Sequence, residues 1–222
     1  GQSNTHYGID GPYQTPLVDP DILQLGRQNE NDFQIIPAIE PLDHHTKVKF
    51  GKGFAIGFAE HYKKKYLEKN RKVLIIPCGH AGSGFSNNMW TDAGFLFLDA
   101  IHRVKHIYKV APKSELKVIL WHQGESDEAN NNYQKQLDHF ISKIRHHLEN
   151  EDVPFILGGM VPYWVNQNEQ REQIQTIIRE TPNRIAKTAY ADPTVPFLIE
   201  KENPDSNSIH YDASGLDELA KR

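Results

Sequence analysis

Apolar positions recur along the chain with two alternating periods, and the switches between them place most of the elements. From Gly53, the residues Phe54, Ile56, Phe58 and Ala59 lead into Tyr62 and Tyr66 at helical spacing, with the lysines of 63–65 turned outward. This predicts an amphipathic helix with a solvated face. Residues 72–77, K-V-L-I-I-P, are a continuous aliphatic run stopped by proline and glycine, the pattern of a strand covered on both faces. Helical spacing returns over 92–109 through Phe95, Leu98, Ile101, Val104 and Ile107, and breaks at Pro112. A second buried strand follows at 116–121, then a helix over 130–149 with Tyr133, Leu137, Phe140, Ile141, Ile144 and Leu148 on one stripe. Residues 153–159 predict a third strand, 168–181 a helix, 185–190 a last strand, and a terminal helix starts near Ala213.

Strand and helix alternate, which predicts an α/β fold with a parallel sheet between two helical layers. Residues 5–50 break the pattern: they are rich in Pro, Asp, Asn and Gly, with short patches such as Gln34-Ile35-Ile36-Pro37, and read as mostly irregular. In sheets of this kind functional loops lie beyond the carboxyl ends of the strands. Those ends carry the polar and glycine-rich segments 78–84, 122–127 and 158–160.

Composition narrows the function classes. A chain of 222 residues, 38% hydrophobic and 24% charged, suits one domain spanning 1–222. With 25 basic and 29 acidic residues its net charge is −4, which gives no footprint for nucleic acid or an anionic membrane. No apolar run approaches the ~20 residues of a membrane span, so a soluble protein is expected. A single cysteine, Cys78, excludes an intrachain disulfide and a cysteine-based zinc site, and leaves the compartment open. The opening residues carry no basic or apolar leader and read as the middle of a longer chain.

Three chemistries compete for the loops. Twelve histidines suggest a metal, but His102 and His106 stand at i and i+4 without the intervening glutamate of a metalloprotease helix, and the pairs His44-His45 and His146-His147 diverge. No metal or other cofactor is expected. The glycines of 79–84 follow a strand, yet match neither the dinucleotide nor the P-loop spacing, so they read as a source of backbone donors. Ser3, in Gly1-Gln2-Ser3-Asn4, and Ser83 both have glycine nearby, and neither satisfies the G-x-S-x-G elbow. His210 lies on a turn-rich segment ahead of the terminal helix. Trp90, Tyr163 and Trp164 follow strand ends, where they would serve either as stacking surfaces for a sugar or as core and rim filler.

Four blocks in order, Gly1-Gln2-Ser3-Asn4, Pro77-Cys78 with its glycines, Trp121-His122-Gln123-Gly124-Glu125-Ser126-Asp127, and Ile209-His210-Tyr211, resemble those of the SGNH-hydrolase superfamily. The first and third are similar to the sialate O-acetylesterase and acetylxylan esterase group, carbohydrate esterase family 6. The resemblance implies a three-layer α/β/α sandwich with a central parallel sheet, flavodoxin-like, and removal of acetyl groups from an acetylated carbohydrate without a metal. It assigns Ser3 as nucleophile and His210 as base, with Ser3, Gly82 and Gln123 as oxyanion donors. The superfamily's usual acid lies three residues before the histidine, where this chain has Asn207, so Glu125 is expected to orient His210, with Asp127 and Asp205 as supporting carboxylates. The family's first strand precedes G-Q-S-N, so either a strand lies ahead of Gly1 or the sheet edge is altered. Rival readings are a carbohydrate-binding domain with a decayed site and a short-chain lipase or thioesterase. A secreted or periplasmic location follows from the substrate class alone.

Overall fold

The computed structural model describes residues 1–6, 18–200 and 209–222. Two three-stranded sheets form its centre. The first has the order β2 (Ile35–Pro37), β1 (Ile22–Leu25), β3 (Val73–Ile75), and the second β4 (Ile119–Trp121), β5 (Phe155–Gly158), β6 (Thr188–Ala191). All neighbours run parallel except β2, which is antiparallel to β1 in the register Leu23 to Pro37. The expected α/β architecture is present, with one correction: β1 and β2 occupy the segment that reads as irregular. Both escape periodicity because they are short, and because β1 places a polar residue, Gln24, in a buried position where its amide donates to Pro37 O (3.3 Å) and accepts from Asp43 N (2.8 Å).

Helices cover both faces. Trp121 and Phe155 turn toward Phe140 of α3 (Tyr133–His147), with ring centroids 4.4 and 6.1 Å away. Leu120 and Ile156, one position along each strand, line the opposite face with Leu219 of α7 (Ala213–Lys221) and Phe58 of α1 (Ala55–Tyr66). That alternation is the period of two of a pleated strand. The α3 face is completed by α2 (Phe95–Val110) and α5 (Glu169–Arg179), with short α4 (Pro162–Val165) and α6 (Thr181–Arg184) on either side of α5. Trp90 is core, edge-on to Trp121 at 5.1 Å, so it offers no sugar platform. Phe95 and Leu98 depart from the expected stripe and are half exposed. No described helix is long and apolar enough to cross a membrane.

Between β3 and β4 lies an apolar crevice, walled by Leu74 and Ile76 on one side, Val118 and Leu120 on the other, and closed by Phe58 and Val104. At the carboxyl ends of these strands it is bridged by Gly1-Gln2. His80 N donates to Gly1 O (3.1 Å), and Gln2 N donates to His122 O (2.8 Å). The segment leading to Ser3 is thereby tied to both half-sheets.

Candidate active site

Ser3 opens a single 3-10 turn, Ser3–Thr5, closed by Thr5 N to Gln2 O (3.0 Å) and by the Thr5 hydroxyl to the same carbonyl (2.7 Å). The turn packs against the loop after β3 so closely that a Cβ on Gly79 would run into Thr5 Oγ1. Glycine there is a steric requirement. Three residues on, Gly82 has φ +65°, the left-handed region, and an added Cβ would meet nothing within 4 Å. The side of Gly82 where a side chain would stand therefore faces open space, while its carbonyl accepts from Asn87 Nδ2 (2.8 Å). Among the described residues, neither Ser3 N–H nor Gly82 N–H is committed to a backbone hydrogen bond.

His210, 207 positions along the chain from Ser3, brings Nε2 to 2.9 Å from Ser3 Oγ. With Nε2 unprotonated the hydroxyl donates to it, the arrangement in which an alcohol near its normal pKa is activated by a neighbouring base. The loop carrying His210 is anchored on its far side. Tyr211 OH donates to Gly159 O (2.9 Å), and Asp212 caps α7 by accepting from Gly215 N (2.7 Å).

Two expected contacts are replaced by others. Glu125 is buried, and its Oε1 accepts from Asn4 Nδ2 (2.7 Å) and lies 3.4 Å from His122 Nδ1. Its Oε2 is buried with no hydrogen-bond partner among the described residues. The carboxylate therefore holds Asn4 rather than the His210 ring. Gln123, expected to aim its amide at an oxyanion, is fully buried; Nε2 donates to Asp127 Oδ2 (2.7 Å), while Oε1 accepts from Tyr133 OH (3.1 Å). Its donor is already engaged.

Asp127 explains why. Its Oδ2 also accepts from Phe85 N (2.8 Å), and Oδ1 accepts from Ser86 N (2.8 Å), the Ser86 hydroxyl and Asn130 Nδ2 (3.0 Å). The carboxylate ties the loop after β3, just past Gly82, to the loop after β4. Ser83, the rival serine, donates its hydroxyl to His80 O (2.8 Å) and accepts from Trp90 Nε1 (2.8 Å), and is wholly buried. Asp205 and Asn207 lie outside the described residues.

The ground beneath the turn is built of neutral imidazoles. His6 and His44 stack at 4.9 Å, and His44 Nδ1 accepts from Gly79 N (2.8 Å), which fixes its tautomer. Burial pushes His6 down to about 4, helped by neighbouring positive groups, and pushes His44 well below its usual range. Burial likewise lowers His122, against the pull of Glu125. His102 and His106 flank Phe33, at 5.2 and 4.8 Å. Among the described residues no group of three or more His, Cys, Asp or Glu side chains could hold a metal ion. Asn4, to which motif reading gave no role, stood in plain view in the first block.

The chain resembles several known proteins. Over 127 residues, 54% of its length, it is 28% identical to a probable carbohydrate esterase of Arabidopsis thaliana, and it spans about half (46%) of that relative. The structure of an Arabidopsis thaliana protein superposes with a TM-score of 0.75 at 20% identity, covering 92% of this chain and 79% of that one. The crystal structure of NanS covers 100% of this chain and 92% of its own, with a TM-score of 0.81 at 17% identity. A carbohydrate acetylesterase from Xanthomonas citri gives 0.59 at 14% identity, over 91% of this chain and 47% of that one. These structural likenesses establish the fold. A model of the family described as carbohydrate esterase, sialic acid-specific acetylesterase, matches residues 1–222, and the chain belongs to that family.

Proposed function

We propose that this domain is a serine esterase that removes O-acetyl groups from a sugar through an acetyl-enzyme. The observation that carries the reading is the 2.9 Å contact between Ser3 Oγ and His210 Nε2, made by residues from opposite ends of the chain. His210 takes the Ser3 proton as the oxygen attacks the acetyl carbonyl. The Ser3 and Gly82 N–H groups bind the resulting oxyanion, a contribution worth about 3 kcal/mol per donor in enzymes of this kind. His210 then returns the proton to the departing sugar oxygen, and water, activated by the same imidazole, releases acetate. Gln123 and Asp127 hold the Gly82 loop in place and do not touch the substrate.

The family supports a carbohydrate ester as substrate, and O-acetylated sialic acid is the first sugar to test, with acetylated xylan as the alternative. Turnover of p-nitrophenyl acetate well above that of the octanoate is expected, with Ser3→Ala at least 10³-fold slower and equally folded. Comparable kcat in Ser3→Ala sinks the reading. Preference for the octanoate favours a lipase-like enzyme, and no turnover of either favours a binding domain with a decayed site.

A further inference from the structure

Asn4, the residue after Ser3, is wholly buried, and its carboxamide touches three parts of the site. Nδ2 donates to Glu125 Oε1 (2.7 Å) and to Ile209 O (2.9 Å), and Oδ1 accepts from Tyr211 N (2.9 Å). Ile209 and Tyr211 are the neighbours of His210 on either side. The carbonyl of the first belongs to the peptide plane before the His210 Cα, and the N–H of the second to the plane after it. One side chain therefore grips both planes that set the backbone dihedrals of His210.

We propose that Asn4 is a positioning residue that places His210 against Ser3, with Glu125 fixing which way the Asn4 carboxamide faces. The inference rests on the serine esterase reading of this same site. Three physical points carry it. Asn4 and Ser3 share one 3-10 turn, so nucleophile and base are located from a single short element although 207 positions separate them. A carboxamide can be turned end for end, and in the wrong orientation its oxygen would oppose the Ile209 carbonyl while its NH2 opposed the Tyr211 N–H. An ionised carboxylate only accepts, so Glu125 admits only the orientation with Nδ2 toward it. Glu125 thereby acts on His210 through Asn4.

The test compares Asn4→Ala, the isosteric Asn4→Asp, Glu125→Gln, Glu125→Ala and the double variant Asn4→Asp with Glu125→Gln, on p-nitrophenyl acetate, with a melting curve for each. Ser3→Ala is run beside them. Misplacing a catalytic group by about 1 Å can cost about 10²-fold. The Asn4 variants are expected to lose about 10²-fold in kcat with KM within about threefold. Glu125→Gln keeps an acceptor for Asn4 and loses less kcat than Glu125→Ala. The double variant restores the contact between positions 4 and 125, the new amide donating to the new carboxylate, but still leaves the Ile209 carbonyl facing an oxygen, so kcat stays at least tenfold below wild type. Folded Asn4 variants with wild-type kcat, a loss confined to KM, equal losses in the two Glu125 variants, or a double variant as fast as wild type overturn the proposal. If Ser3→Ala itself retains turnover, the esterase reading falls; if it is inactive while the Asn4 variants run at full rate, only the positioning role falls.

Discussion

Asp127→Asn tests whether the loop that carries Gly82 depends on one buried charge. Asp127 is 1% exposed and accepts five hydrogen bonds through its two oxygens. Whichever oxygen becomes an NH2 group, at least two donors then face another donor. On the Oδ2 side these are Phe85 N–H and Gln123 Nε2. Hydrogen bonds to a charged group contribute about 1.5–3 kcal/mol each, so two lost bonds cost about 3–6 kcal/mol. Removing a buried charge offsets part of that. Gln123 cannot turn over to compensate without giving up the Tyr133 hydroxyl bonded to its Oε1. The net expectation is about 3 kcal/mol, read as a lower urea midpoint with unchanged m-value and a fall in Tm of about 6–12 °C for a domain of this size. kcat should fall as well, measured well below the transition, because Phe85 and Ser86 anchor the turn that presents Gly82. A destabilisation under about 1 kcal/mol would refute the reasoning, and a large kcat loss without any loss of stability would place Asp127 in the chemistry itself.

Gly82→Ala should cost about 1–2 kcal/mol of stability from its left-handed backbone alone, since the new methyl meets no atom, and should lower kcat/KM at least tenfold by crowding the reacting carbonyl; wild-type kcat/KM would remove Gly82 from the oxyanion site. Stability should fall as pH drops from 6.5 to about 4, because the unfolded chain takes up the His6 proton first; holding that imidazole neutral down to about 4 corresponds to about 3 kcal/mol, and His44 acts in the same direction. Glu40, pushed up to about 7 by burial, opposes this between 4.5 and 7, so Glu40→Gln should steepen the acid loss seen in Tm against pH, and a shallower slope would reverse the sign of the argument. Exhaustive chelation should leave esterase turnover unchanged, and a loss restored by zinc or manganese would bring the histidines back into the chemistry.

Long, amphipathic elements were legible in the sequence because burial alone decides them. The stripe from Tyr133 to Leu148 predicts a helix over 130–149, and α3 spans Tyr133–His147; the runs around 73–76, 116–121 and 153–158 each hold a strand. Where tertiary pairing decides, periodicity is silent. β1 is four residues long and includes a buried glutamine whose amide is satisfied by Pro37 and Asp43, contacts no window of sequence contains. Phe95 and Leu98 fit a helical stripe and are nevertheless half exposed, since the buried face of α2 runs through Leu96, Phe97, Ala100, Ile101, Val104 and Ile107 instead.

The candidate site separates in the same way, between residues whose type declares a reaction and residues whose partners must be seen. A serine and a histidine suited to acyl transfer stand out in short motifs, and they meet. The polar residues of the third block do not declare their partners. Glu125 and Gln123 both look like reagents when read along the chain, yet each is consumed by a buried neighbour, Asn4 in one case and Asp127 in the other. A buried carboxylate needs hydrogen bonds wherever it finds them. In a turn as tight as 122–127 the nearest donors belong to the first block and to the loop after β3, not to a substrate. The same demand gives this part of the site its rigidity. Asp127 fixes the loop that carries Gly82, Asn4 and Glu125 fix the backbone around His210, and Ser3 lies between them on a turn bound to both half-sheets. The proposed acyl transfer then rests on one hydroxyl facing one imidazole, and on two backbone N–H groups free of any backbone partner among the described residues.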